Sequence, residues 1–571
     1  MIYFNSRDTE CKKPFGAVKT GTEVYFSVKS DSLEYAFLIA NDKKHKMNSC
    51  EGGFEITISF ETPELVFYCF ELHTCNGLTV YAGKGSMGRA YFSLDVPERY
   101  QLTVYRQDTK VPEWYSQGIV YQIFPDRFNI GGEVIRAKKD AHYYNNTDEI
   151  PHYIKNGNNI EKWDFYGGNL RGICEKLSYL KELGVTCIYL NPIFEARSNH
   201  RYDTGNYLKI DPMLGSEEDF ERLIADAGRL GIKIILDGVF NHTGADSIYF
   251  NRFGSYDSVG AYQSCESPYY SWYTFTQYPE KYAGWWGVDD LPCTNKNVES
   301  FREFLITGEN SVINKWTSKG IGGWRLDVAD ELSDELLLMI NRAVKNKNPN
   351  AVVIGEVWED ASNKIAYNTR KKYFTEPELD CVMNYPFRDN LISFIKGDIS
   401  ASVLANTFTE LMENYPRYAF YGNLNSLGTH DVERIATVAK EISGEHYYQI
   451  MKMFVTCLFT FPGVPCIYYG DEAGLEGGKD PDNRRMFPWG KENTDIFELY
   501  KTAADKRTQS PALKCGETEF LSFGNDAFGI LRSCDNEQRL IYINRSEFPV
   551  DFICRKTDRE IHIAPWGCYY E

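Results

Sequence analysis

The feature that most constrains the fold is a recurrence of short apolar runs separated by helix-forming stretches. The runs are Gly118–Phe124, Val185–Asn191, Ile232–Asn241, Ile321–Val328, Val352–Trp358, Asp380–Tyr385, Phe420–His430 and Val464–Gly470. An apolar run of this length, bounded by turn residues, reads as a strand buried on both faces. Between several of them lie amphipathic stretches such as Glu217–Leu230, Ser333–Lys345 and Tyr447–Thr460. Eight buried strands alternating with helices over ~390 residues predict an α/β fold: a (β/α)8 TIM barrel with insertions rather than a doubly wound sheet.

The flanks differ in pattern. Residues 1–112 hold short alternating runs (Glu23–Val28, Phe54–Phe60, Leu65–Phe70) between Gly, Asp and Asn turns, which predicts an N-terminal β-sandwich. The barrel is expected over 113–507. Within it, about 243–296 breaks the alternation after the third strand. That stretch is rich in Tyr, Trp, Ser and Gly and too long for an ordinary loop, so a small inserted domain is expected. From 508 to 571 short β runs return (Glu519–Phe523, Arg539–Ile543), predicting a C-terminal β-sandwich.

Composition excludes several functions. The chain has 571 residues, 43% of them hydrophobic, enough for a large core and against disorder. The net charge is −18 with no block of like charge, which argues against nucleic acid or an anionic membrane as partner. No apolar stretch is long enough to suggest a membrane span. Aromatics at 15% in an acidic protein suit a neutral, ring-shaped ligand such as a sugar. The fifteen cysteines are scattered, without zinc spacing, and most read as small buried hydrophobes. The start, Met1-Ile2-Tyr3-Phe4-Asn5-Ser6-Arg7-Asp8, lacks a basic region followed by an apolar segment, so a cytoplasmic protein is expected.

Barrel enzymes carry their chemistry at the C-terminal ends of strands. Here those ends read Asp237-Gly238-Val239-Phe240-Asn241-His242, Arg325-Leu326-Asp327, Gly355-Glu356-Val357-Trp358 and Gly428-Thr429-His430-Asp431. Asp327, Glu356 and Asp431 thus come from separate strands onto one rim. Retaining cleavage of a glycosidic bond needs a carboxylate nucleophile and a protonated carboxyl as acid, and a third carboxylate can stabilise an oxocarbenium-like transition state. An arginine two residues before a carboxylate can hold it ionised; a structural Arg–Asp pair is the plainer alternative. Three rim carboxylates also suit magnesium or manganese, but no phosphate-binding loop accompanies them.

These pieces resemble the four signature regions of the α-amylase family, glycoside hydrolase family 13. Tyr121–Phe128, His200–Thr204, Gly463–Glu472 and Asp480–Arg485 extend the likeness over about residues 114–505. The β domain in front, and Val328-Ala329-Asp330-Glu331 after Leu326-Asp327, look like the neopullulanase, cyclomaltodextrinase and maltogenic amylase group. The resemblance implies Asp327 as nucleophile, Glu356 as general acid/base with a raised pKa, and Asp431 as transition-state stabiliser. It implies Arg325 orienting Asp327, His242 and His430 bonding sugar hydroxyls, Tyr202 stacking under the sugar and Asp237 supporting the site. Asp480 and Arg484 match positions that grip the next sugar, and Glu331 and Trp358 match the leaving-group side.

The expected function is hydrolysis of α-1,4-glucosidic bonds in pullulan, cyclodextrins and maltodextrins or starch through a covalent intermediate. Alternatives are a transglycosylase or glucosyl isomerase, and a non-catalytic glucan-binding protein. No cofactor is expected. Some relatives bind calcium near Asn129, Gly167 and Asn169, but Gly167-Gly168-Asn169 replaces the family's Gly-Gly-Asp. In the inserted stretch Leu291-Pro292-Cys293-Thr294-Asn295 replaces the group's usual Met-Pro-Lys-Leu-Asn, which leaves the choice among pullulan, cyclodextrin and starch open. The front domain resembles a starch-binding module, which in relatives often forms a homodimer.

Overall fold

The computed structural model describes residues 2–156 and 159–571. At its centre lie eight strands: β1 (Val120–Ile123), β2 (Cys187–Leu190), β3 (Lys233–Gly238), β4 (Gly323–Leu326), β5 (Val352–Gly355), β6 (Cys381–Val382), β7 (Leu424–Ser426) and β8 (Val464–Tyr468). They pair in the order β6-β5-β4-β3-β2-β1-β8-β7. A parallel bridge from Met383 to Leu424 joins β6 to β7 and closes the ring. This is the (β/α)8 barrel that the alternation predicts. Of the residues in these strands only Lys233, at the start of β3, is exposed. Burial on both faces is why the sequence shows continuous apolar runs and not alternation.

The helices expected at Glu217, Ser333 and Tyr447 form as Glu217–Arg229, Asp334–Lys347 and Tyr447–Thr460. Ser216 and Asp219 close a reciprocal cap on the first, and Ser333 caps the second. The seventh run differs from expectation. Phe420 ends a helical turn, Arg417–Phe420, that packs on Phe461, and only Leu424–Ser426 is strand. The apolar run there is a helix face followed by a strand.

Register positions the rim. Pairing sets Asp237 on β3 opposite Arg325 on β4, and Leu326 opposite Gly355 on β5. Gly323 opens β4 at a positive φ, where a Cβ would lie 2.0 Å from the Val352 carbonyl oxygen. Only glycine fits that approach.

Sheets of four and seven strands lie within residues 12–105 and enclose their own core of Phe26, Val28, Tyr68 and Phe70. They meet the barrel through the Arg7–Glu413 ion pair at 3.0 Å and the Arg106 amide on the Thr375 carbonyl at 3.1 Å. Sheets of four and two strands cover Glu517–Tyr570, and Arg532 Nη1 donates to the Thr460 carbonyl at 2.9 Å.

Two excursions leave the barrel rim. After β3, residues 243–296 hold short turns and a hairpin around Phe250, whose ring lies 4.8 Å from Tyr273 and 4.7 Å from Tyr282. Thr294 Oγ1 donates to the Phe240 and Asn241 carbonyls at 3.0 and 3.1 Å, pinning this excursion to the end of β3. After β1 comes a second one that the sequence did not announce, a small sheet of Ala141–Tyr143, Ile154–Asn156 and Asn159–Phe165.

Candidate active site

Arg325 is fully buried and holds three carboxylates. Its Nη1 lies 2.7 Å from Asp237 Oδ1 and 2.9 Å from Asp327 Oδ1, and its Nη2 lies 2.9 Å from Glu356 Oε2. Glu356 also accepts the Val328 amide at 2.8 Å and Trp358 Nε1 at 3.0 Å. Asp237, buried behind, accepts hydroxyls from Tyr189 at 2.6 Å and Tyr202 at 2.9 Å. Two of the three predicted rim carboxylates, Asp327 and Glu356, therefore meet on Arg325.

Burial is the largest influence on Asp327 and pushes its carboxyl well above the usual range. Glu356, Asp237 and Asp431 push the same way while Arg325 pulls down. Asp431 is pushed up to about 7 by burial and then by Glu356, against the pull of Arg484 and Arg325. Carboxylates crowded in low dielectric resist ionising together, so the cluster retains protons where isolated carboxyls would have none, and those protons belong to the group.

Tyr202 and His430 stack at 5.2 Å, nearly parallel. Gln122, on β1, donates its amide to His430 Nδ1 at 3.0 Å. His430 then carries its proton on Nε2, which faces Tyr202 at 2.6 Å and Asp431 at 3.2 Å. Burial keeps His430 neutral, its pKa well below the usual value. His242 is likewise lowered by burial, to about 3. Its Nε2 has no hydrogen-bond partner among the described residues.

Arg484 links two further carboxylates. Its Nη1 pairs with Asp480 Oδ1 at 2.9 Å, its Nη2 lies 3.7 Å from Asp431 Oδ1, and its Nε donates to the His430 carbonyl at 2.9 Å. The hydroxyl of Tyr153, from the excursion after β1, donates to the other oxygen of Asp480. From the same sheet, Trp163 meets His200 edge-on at 4.7 Å.

Trp358 is 43% exposed and stacks on Tyr385 at 4.2 Å. Glu331 accepts Trp286 Nε1 at 3.3 Å and the Tyr367 hydroxyl. Trp286, 79% exposed, stacks on Trp285, which stacks on His242. Sequence reading assigned no role to Gln122, Tyr153, Tyr189, Trp286 or Tyr367. Gln122 lies inside a family-like stretch and was open to recognition; the exposed aromatics carry no periodic signal.

The calcium candidates are partly engaged already. Asn169 Oδ1 accepts the Gly172 and Gly131 amides at 2.7 and 3.2 Å, and Asn129 Nδ2 donates to the Gly172 carbonyl at 3.1 Å. The Gly167 amide points to Asp126, whose oxygens are taken by amides and by Arg127. These groups tie loops together, and among the described residues no group of three His, Cys, Asp or Glu side chains is placed to hold a metal. A hard cation needs several free oxygens.

A closed parallel barrel with a carboxylate-lined C-terminal rim defines a class of (β/α)8 proteins. The family description "Alpha amylase, catalytic domain" matches residues 122–514. The chain belongs to the α-amylase family, glycoside hydrolase family 13. It is 36% identical to an amylopullulanase of Thermoanaerobacterium saccharolyticum over 93% of this chain and 46% of that protein. It is 33% identical to a cyclomaltodextrinase of Geobacillus thermopakistaniensis over 84% of this chain and 77% of the relative. The chain spans between 33% and 46% of the length of the amylopullulanases it matches. Among solved structures it resembles the type III pullulan hydrolase from Thermococcus kodakarensis, with TM-score 0.72, 25% identity and full coverage of both chains. It also resembles the cyclic α-maltosyl-(1→6)-maltose hydrolase from Arthrobacter globiformis, with TM-score 0.69 and 29% identity over 81% of this chain and 99% of that one.

Proposed function

We propose that this protein hydrolyses α-1,4-glucosidic bonds in pullulan, cyclodextrins and maltodextrins, in the manner of a neopullulanase and with retention of configuration. The observation that carries the reading is Arg325 holding Asp327 and Glu356 on one guanidinium, with Asp431 linked to the same cluster through His430, Tyr202 and Asp237. Relatives with the names amylopullulanase, cyclomaltodextrinase and neopullulanase 2 support it.

In this reading Glu356 is the general acid and supplies the proton. Glu356 gives it to the glycosidic oxygen while Asp327 attacks the anomeric carbon. Water then donates a proton back to Glu356 as it releases the sugar from Asp327. Asp431, ionised, opposes the positive charge that develops on the ring. Asp237 and Arg325 fix Asp327, and Tyr202 stacks under the reacting sugar. The neutral imidazoles of His242 and His430 bond its hydroxyls. Asp480 and Arg484 grip the next glucose toward the non-reducing end, while Glu331 and Trp358 line the leaving-group side.

The deciding experiment is chromatography of the products from pullulan. Panose supports α-1,4 cleavage beside an α-1,6 branch, maltotriose shifts the reading to a debranching enzyme, and no product from pullulan, cyclodextrin or maltodextrin overturns it. A second reading, transglycosylation, draws on the exposed indoles of Trp286 and Trp358, which suit an acceptor sugar. Product analysis at high acceptor concentration separates the two. A homodimer through the N-terminal module belongs to the same proposal, and a monomer mass at micromolar concentration in light scattering counts against it. Fifteen free thiols suit a reducing cytoplasm, which cell fractionation tests.

A further inference from the structure

A cavity of about 440 Å³ opens on the outer wall of the barrel, where the helices Tyr447–Thr460 and Thr494–Gln509 meet the last strand of the C-terminal sheet, Gly567–Tyr570. Helical spacing lines up its two long sides. Tyr448, Lys452 and Thr456 follow one another at four-residue steps on one helix, and Glu498, Thr502 and Lys506 do so on the other. Lys452 and Lys506 are exposed, so a ligand can reach both ammonium groups.

The cations here lack counter-charges. Lys501, on the same helix as Lys506, pairs with Glu182 at 2.6 Å. Lys452 and Lys506 pair with no carboxylate among the described residues. The one carboxylate among the lining residues, Glu498, is exposed and bonds neither of them. Burial pushes the Cys568 thiol between them up to about 11, so it stays neutral and supplies no charge. Burial, then Lys452 and Arg539, push Lys506 below the usual ammonium range.

Two more cations stand behind the wall. Arg507 and Arg532 are fully buried and donate only to main-chain carbonyls. Arg507 reaches the carbonyl of Leu513 at 3.0 Å and Arg532 that of Thr460 at 2.9 Å, and both acceptor residues line the cavity. Carbonyl dipoles satisfy N–H groups without cancelling a full charge. Burial and then Arg532 push Arg507 down to about 9. In a protein of net charge −18, four cations without a carboxylate make a local positive well.

We propose that this cavity is a binding site for a phosphate dianion, free or carried as an ester on a small ring compound. Lys452 and Lys506 donate charge-assisted hydrogen bonds from opposite sides, and the hydroxyls of Thr456 and Thr502 bond the remaining oxygens. The volume lies within the range of small-molecule sites, ~300–1,000 Å³, and leaves room beyond one phosphate for the ring of an ester. Tyr448 and Tyr570 supply aromatic faces for that ring. Lys506 Nζ lies 4.1 Å from the Tyr570 ring centre, so bound phosphate bridges the barrel helices and the C-terminal sheet.

The test is titration calorimetry of the full chain with inorganic phosphate and with glucose 6-phosphate, repeated on Lys452→Met, Lys506→Met and the control Lys501→Met. Glucose titrated alone subtracts any binding at the rim. The expected result is one site per chain, weakened ~10-fold or more by Lys452→Met and by Lys506→Met and unchanged by Lys501→Met. With that lysine dependence, tighter binding of glucose 6-phosphate identifies the ester as ligand, and equal or tighter binding of inorganic phosphate identifies the free ion. No binding of either at millimolar concentration overturns the proposal. So does phosphate binding that is the same in wild type and in both cavity variants.

Discussion

The amide of Val328 donates to Glu356 Oε2 at 2.8 Å, and it does so because Val328 lies at φ 39°, ψ 60°. A β-branched residue in the left-handed region costs on the order of 1–3 kcal/mol. The chain thus turns sharply just past Asp327 and aims a main-chain donor at the neighbouring carboxylate. Val328→Gly relieves that strain while adding backbone freedom, so stability is expected to change by no more than ~1 kcal/mol. The turnover rate should fall, because Glu356 is then held less firmly. Thermal unfolding and kcat measured together check this.

Removing either member of the close pair is expected to leave the fold and stop the reaction. Asp327→Asn and Glu356→Gln should each lower kcat by ~10³-fold or more, with circular dichroism unchanged. Substantial activity in either variant would sink the assignment of both.

Tyr153 acts on the site through Asp480. Tyr153→Phe deletes one hydrogen bond to a carboxylate that also pairs with Arg484. The expected effect is a rise in KM of roughly three- to tenfold with kcat nearly unchanged, because the lost contact positions a binding group and not the reacting atoms. A fall in kcat with KM unaltered would contradict a positioning role.

Glu378 gives a pH signature outside the rim. It is buried, its Oε2 lacks a partner among the described residues, and burial pushes its carboxyl up to about 9. The folded state therefore binds this proton more tightly than the unfolded chain does. Its contribution to stability is full below about pH 4.5, the ordinary glutamate range, and is lost as pH rises toward 9. Glu378→Gln should flatten that slope and stabilise the protein by about 1 kcal/mol or more at pH 8 relative to wild type. Denaturant unfolding at pH 5 and pH 8 measures it, and equal slopes in the two proteins would count against it.

The barrel was legible because strands buried on both faces must be apolar throughout, as at Val352–Gly355, and their ends fall in chain order. The sheet after β1 was not, because its strands Ala141–Tyr143 and Ile154–Asn156 are short, with Ala141–Tyr143 and Ile154 half-buried and Lys155 exposed, and have no apolar run to reveal them. Phe420 misled for the opposite reason, since a buried aromatic serves a helical turn as well as a strand. Asp327, Glu356 and Asp431 stood out by type and position, while Gln122 shows its purpose only beside His430. Asn169 offered the right atom for calcium, but the Gly131 and Gly172 amides already engage it.

Glu331 joins two excursions of different origin: Trp286 reaches it from the segment after β3, and Tyr367 from the hairpin after β5. None of the three belongs to a barrel strand. The floor of the cleft is set by strand register, whereas this wall is an arch with a single keystone. Changes at the keystone reshape the gap between the two piers while the barrel beneath stays as it is. The shape of this wall can therefore vary without any change in how the barrel folds.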